Sequence, residues 1–236
     1  NMYERSLSSS EKAQKFADGS GMVVVPEAGN QIPDILDECR YEIDFMSKMK
    51  VEADEPVWGE FAGMYYHGIE DEKSLPIDTV YWDYIGSESY DIARLVNPPT
   101  FAATLNYAAC AAQAARLWNA YDKAYAETLL QSAKEAYAAY EKHWYEAATN
   151  EETITTSQYA PSLNGIVLLN HSDTEVRDDA YWEACELFVS ASELGDADAS
   201  VYLEALSGYQ DAFQISTRIN GGNNLNGDGS YTLFNW

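Results

Sequence analysis

Apolar residues return at helical spacing in several separate stretches of the chain. Ile35, Leu36, Cys39, Ile43, Met46 and Met49 fall on one face, as a 3.6-residue period requires. Pro33 stands where that helix would open, at its first position, where a missing N–H costs nothing. Asp34, Asp37 and Glu38 follow in the first turns, where carboxylates complement the helix dipole. A second pattern runs from about Thr100 to Trp118. Its segment Ala102–Arg116 is small and apolar nearly all round, which predicts an inner helix that its neighbours approach closely. A third helix is predicted from Asp122 to about Trp144, with Tyr125, Leu129, Ala133, Ala136 and Tyr140 inward. A fourth runs from Asp178 to about Ser192, with Tyr181, Ala184, Cys185 and Phe188 inward. A fifth, Ala199–Tyr209, has Tyr202, Ala205, Leu206 and Tyr209 in phase.

The remaining stretches lack a period. Met2 to about Asp18 reads as a helix tail and loop. Residues 51 to about 99 hold Gly59, Gly63, Gly68, Gly86, Pro76, Pro98 and Pro99. A connection this long in a compact domain is usually functional. Residues 149–177 are rich in Thr, Ser and Asn, and Asn220–Ser230 is a Gly/Asn loop. Its Asn224–Gly229 string resembles a calcium loop but lacks the terminal Glu, and reads as a turn. No strand pair with a hairpin turn stands out. Helices joined by alternating short and long loops predict an all-α array of helical hairpins.

Charge narrows the partners. The chain carries 39 acidic residues against 14 basic ones, a formal net charge of -25. That disfavours nucleic acid and anionic membrane surfaces, which need clustered Lys and Arg. It suits a neutral ligand or bound cations. The 18 Tyr and 6 Trp can serve both as core and as stacking faces for sugar rings. Cys39, Cys110 and Cys185 show no C-x-x-C or Cys/His spacing and read as buried free thiols. Residue 1 is Asn, no stretch resembles a signal peptide or membrane span, and the sequence stops on the apolar run Tyr231–Trp236. It reads as an internal stretch of a longer precursor.

Local strings carry the argument from fold class to chemistry. They are Asn1-Met-Tyr-Glu-Arg-Ser6, Asn30-Gln-Ile-Pro-Asp-Ile-Leu-Asp-Glu-Cys-Arg40 and Ala62-Gly-Met-Tyr-Tyr-His-Gly-Ile-Glu-Asp71. Further on come Arg94-Leu-Val-Asn-Pro-Pro-Thr-Phe-Ala-Ala-Thr104, Asp173-Thr-Glu-Val-Arg-Asp-Asp-Ala-Tyr-Trp-Glu-Ala-Cys-Glu-Leu187 and Phe234-Asn-Trp236. In this order and rough spacing they resemble segments of family 9 glycoside hydrolases, among them A-G-M-x-H-H-K-x-x-D and R-x-x-x-P-P-S-T-A-A-T. The resemblance implies one partial catalytic domain over residues 1–236. Its fold would be all-α, part of an (α/α)6 barrel with about half of the helices present.

The same resemblance implies a secreted cellulase-type enzyme, an endo-β-1,4-glucanase cleaving β-1,4-glucan with inversion. Inversion needs a carboxylate base and a carboxylic acid roughly 6.5–9.5 Å apart, with room for the attacking water. In the family the base belongs to a D-A-G-D motif upstream of the Asn1–Ser6 position, and the acid to an N-E segment downstream of F-x-W. Neither is found in those places here. No residue of this chain is therefore expected to be catalytic. The N- and C-terminal parts of the same domain would supply both groups. The alternative is a non-catalytic relative that only binds glucan.

Four residues are candidate glucan contacts by this resemblance: Tyr66, His67, Arg94 and Trp236. Tyr66 and Gly68 stand where the family has His and Lys, so the family's sugar contacts would be altered here. Trp82 and Tyr84 are further candidate platforms, with packing inside the loop the stronger reading. Thr174, Glu175, Asp178 and Asp179 match a segment that in some family members helps hold a structural Ca²⁺, whose hard oxygen ligands suit a helix start. Helix-dipole compensation explains the two aspartates equally well. Asp34, Asp37, Glu38 and Arg40 are acid and base by type, but their place at a helix start predicts capping and ion pairing.

Overall fold

The computed structural model describes residues 2–71, 94–149 and 177–208. The short helices α1 (Met2–Ser6) and α2 (Ser10–Gln14) precede α3 (Asp34–Ser47). Pro33 caps α3 instead of opening it. Its backbone is extended, at φ -56 and ψ 126, and its carbonyl accepts from the N–H groups of Leu36 and Asp37. The acids that follow tie back the preceding loop. Asp34 is buried and takes the Gly19 N–H with both carboxylate oxygens, at 3.2 and 3.1 Å. Asp37 accepts from the Asn30 side chain at 3.0 Å. Arg40 lies 3.5 Å from Asp44 and 3.8 Å from Asp122. Its guanidinium also sits over the rings of Trp118 and Tyr125, a cation–π arrangement.

The centre of the molecule is α4 (Phe101–Trp118). Ala108, Ala109, Ala111, Ala112 and Ala115 are fully buried on it. Side chains this small let α5 (Lys123–Thr149) and α6 (Arg177–Leu194) close in from two sides. The helix α7 (Ala199–Ser207) packs on α6, and α3 reaches α4 from another side. The inner, buried helix read from the sequence is thus found in place. The thiols depart from expectation: Cys185 is buried, Cys110 is half-buried and Cys39 is exposed, all three free. Cys39 lines an open pocket between α3 and α4 together with Cys110, which leaves its thiol accessible.

One polar network crosses this core. Arg116 of α4 bonds Glu4 of α1 through Nε at 2.6 Å and Nη2 at 3.2 Å. Nη2 also lies 2.6 Å from Glu186 of α6, and Nη1 donates to Ser190 at 2.7 Å. The two carboxyls respond differently to the same guanidinium. For Glu4, burial pushes up, but the Arg116 bonds and Gln113 outweigh it and hold the carboxyl below its usual range. Glu186 lies deeper, and burial there outweighs Arg116 and leaves the carboxyl raised. Among the described residues no helix is long and apolar enough to cross a membrane.

The structure adds strands that the periodicity did not predict. β1 (Tyr65–Tyr66) pairs antiparallel with β4 (Pro99–Thr100), and β2 (Ile69–Asp71) with β3 (Arg94–Val96). Strands of two or three residues are too short to display alternation. Their partners, not their own sequences, define them.

Candidate functional site

The site grows from the loop after α3. Gly63 adopts φ +92, a left-handed conformation that glycine takes without a Cβ penalty. The turn it makes sends the chain back along residues 49–51. Val51 N–H donates to Met64 O at 2.8 Å, Gly63 N–H to Val51 O at 3.0 Å, and Tyr66 N–H to Met49 O at 2.9 Å. On its other side β1 meets β4, with Tyr65 opposite Thr100 and Tyr66 opposite Pro99. His67 N–H then reaches Pro98 O at 3.1 Å, and Asn97 N–H reaches Gly68 O at 2.9 Å.

Alternation along β1 sets which ring faces which way. Tyr65 is buried and stacks on Tyr107 of α4, ring centroids 4.0 Å apart. Both hydroxyls meet Ser132 Oγ of α5, at 3.2 and 2.8 Å. Burial drives the Tyr65 hydroxyl well above the usual phenol range. Tyr66 is only half-buried. Burial and then the charge of Glu55 raise its hydroxyl, which stays a neutral donor at ordinary pH.

Thr100 joins this strand pair to α4. Its side chain caps the helix by accepting the Ala103 N–H at 3.2 Å. Its carbonyl accepts from Thr104 Oγ1 at 2.7 Å, and that oxygen accepts the Tyr65 N–H at 3.0 Å. His67 Nδ1 lies 3.0 Å from Thr100 Oγ1. Asn97, 1% exposed, packs beside Gly68 with its Oδ1 unpartnered. The Tyr66 phenol and the His67 imidazole are both half-buried and carry an aromatic ring and hydrogen-bonding groups. That combination suits a neutral, hydroxyl-rich ligand.

The expected site residues divide accordingly. Tyr66 and His67 sit together on and just after β1. The backbone of Arg94 joins them through the second ladder, opposite Asp71, while its side chain lies outside the described residues. Trp236, Trp82 and Tyr84 lie outside them as well, as do Thr174 and Glu175. Asp178 and Asp179 open α6. The Asp179 carboxylate is buried and the Asp178 side chain is outside the described set. Among the described residues no group of three or more His, Cys, Asp or Glu is placed to hold a metal. Thr100 and Asn97 went unnoticed as site residues in the sequence. The signal was there for Thr100, a threonine immediately before a helical run.

Layers of helices with two short ladders over one end define a helical-hairpin protein with a loop-built site. The family profile described as Glycosyl hydrolase family 9 matches residues 4–236. The chain belongs to glycosyl hydrolase family 9, and its helical layers match part of an (α/α)6 barrel. It is 34% identical over 239 residues to a cellulose 1,4-beta-cellobiosidase of Acetivibrio thermocellus, covering 100% of this chain and 24% of that protein. It is 36% identical over 197 residues to endoglucanase C of Cellulomonas fimi, covering 81% and 15%. A solved metagenome-derived family 9 endoglucanase superposes with a TM-score of 0.56 at 26% identity, covering 88% of this chain and 31% of that one. The chain therefore spans about a quarter or less of the length of these two curated relatives.

Proposed function

We propose that this chain forms the glucan-holding part of a secreted, inverting endo-β-1,4-glucanase. The observation that carries the reading is the placement of Tyr66 and His67 beside Pro99–Thr100 at the start of α4. Two separate strings that resemble the family's loops meet there. Tyr66 offers a ring face to a pyranose, and His67 and Arg94 offer polar groups to its hydroxyls. Trp236 adds a second ring. Family membership and the cellulase relatives support the substrate class.

The base and the acid come, in this reading, from polypeptide outside these 236 residues. The chain alone then binds glucan without cleaving it. The test is incubation of the 236-residue chain with a soluble cellulose derivative, followed by a reducing-end assay. No release above background is expected, and steady turnover would refute the assignment of both carboxylates elsewhere. Cellooligosaccharide titration checks the binding half, with affinity falling about tenfold in His67→Ala.

Thr174, Glu175, Asp178 and Asp179 are proposed to hold a structural Ca²⁺ at the start of α6. The ion would supply charge compensation there and take no part in the chemistry. A chelator should lower the melting temperature, and added Ca²⁺ should restore it. An Asp179→Asn chain with the same chelator response as the parent would contradict this.

A further inference from the structure

Residues 52–62 form a loop that closes at its base on the strand carrying Tyr66. Val51 N–H reaches Met64 O, Gly63 N–H reaches Val51 O, and Tyr66 N–H reaches Met49 O. Glu55 fixes the turn inside this loop. Its Oε2 accepts the Val57 N–H at 2.9 Å and the Trp58 N–H as well. Its carbonyl accepts the Gly59 N–H at 3.0 Å. Gly59 lies so close to Ala53 O that a Cβ would meet it at 2.8 Å, so the turn has little room to shift. Glu55 is half-buried, as Tyr66 is. Burial and then the charge of this carboxylate raise the Tyr66 hydroxyl, so the two groups lie close enough to act on one another. Yet among the described residues neither that hydroxyl nor Glu55 Oε1 has a hydrogen-bond partner. A phenol O–H donates and a carboxylate oxygen only accepts. A sugar hydroxyl does both, and so can bond to the two at once.

We propose that Glu55 is a further glucan contact and the residue that selects for an uncharged sugar: with Tyr66 it brackets one sugar hydroxyl, and it rejects a carboxylate in that place. This rests on the reading of Tyr66 as a glucan contact. The hydroxyl donates a charge-assisted bond to Oε1. A uronate at the same position has no proton to donate near neutral pH, and its charge repels that of Glu55.

The test is calorimetric titration of the full chain with cellotetraose and with cellotetraose whose C6 hydroxyls are oxidised to carboxylates. The parent chain should prefer the neutral sugar. Equal binding of the two overturns the proposal, and this reading needs no variant to fold. Glu55→Gln keeps an oxygen for the Val57 and Trp58 N–H groups and removes the charge. It should bind cellotetraose about three- to tenfold more weakly and narrow the preference about tenfold. Glu60→Gln removes the same charge from an exposed place on the same loop and should leave the preference near that of the parent. A preference that Glu55→Gln fails to narrow, or that Glu60→Gln narrows as much, overturns the proposal. If Tyr66→Ala binds cellotetraose as the parent does, Tyr66 is no glucan contact and the wider reading of this site falls too. If Tyr66→Ala binds weakly while Glu55→Gln leaves the preference unchanged, only the role given to Glu55 falls.

Discussion

The ring of Tyr65 lies against the ring of Tyr107, centroids 4.0 Å apart and planes 19° from parallel. One belongs to β1 and the other to α4, so the strand that ends in Tyr66 and leads into His67 is docked on the central helix through this stack. Ser132 of α5 bonds both phenol hydroxyls, and Ser47 of α3 adds a second contact to that of Tyr107, at 3.0 Å.

Tyr65→Ala should therefore cost roughly 3–5 kcal/mol of stability. Tyr65→Phe keeps the ring and should cost only about 0.5–1.5 kcal/mol. Urea denaturation measures both. Equal losses would mean that the hydroxyl, and not the stacked ring, holds β1 in place.

Arg116→Met should be among the most damaging changes away from β1. It leaves Glu186, 5% exposed at its side chain, without its countercharge, at about 3–5 kcal/mol. Adding Glu186→Gln to the same chain should recover most of the loss, because the stranded charge is then gone. A strictly additive double variant in a denaturation cycle would show that the two side chains do not communicate.

Glu183 predicts the direction of a pH effect. Both of its carboxyl oxygens are buried without a hydrogen-bond partner. Burial, then the charges of Glu141 and Asp179, raises the carboxyl well above its ordinary 4.5. An acid raised in the folded state contributes fully below its unfolded value, and that contribution is lost as pH rises through the folded value. Glu183→Leu escapes this loss and should exceed the parent by about 1–3 kcal/mol near neutral pH. The gap in melting temperature should narrow on acidification to pH 4.5. Melting curves that stay parallel across that range would contradict it.

Gly63→Ala should cost about 1–2 kcal/mol, from the left-handed backbone alone. A Cβ there would also stand 3.1 Å from that of Ala139. Thermal melts measure the loss. Unchanged stability would mean that this turn relaxes readily into another conformation.

Helices were legible because each announces itself locally. The alanine-rich run of α4 and the apolar face of α3 need no distant partner to be recognised. What escaped was long-range. Thr100 meets His67 across 33 positions and Arg116 meets Glu4 across 112, and no local spacing encodes either meeting. Glu183 looks like any helix acid in the sequence, yet it is fully buried. Tyr66 and His67 drew attention only through resemblance to a family loop, since two-residue strands leave no pattern to read. Asn97 left no such trace, because its burial depends on pairing between Gly68 and residue 97.

The pairing of Tyr66 with Pro99 acts as a ruler. Sliding β1 by a single residue would turn the inward phenol toward solvent and drive its neighbour into the helix layer. Proline has no amide hydrogen to offer a shifted partner, so the misaligned arrangement gains nothing to offset that exchange. How far the Tyr66 ring stands out of the helix layer is in this way calibrated by its neighbour across the ladder.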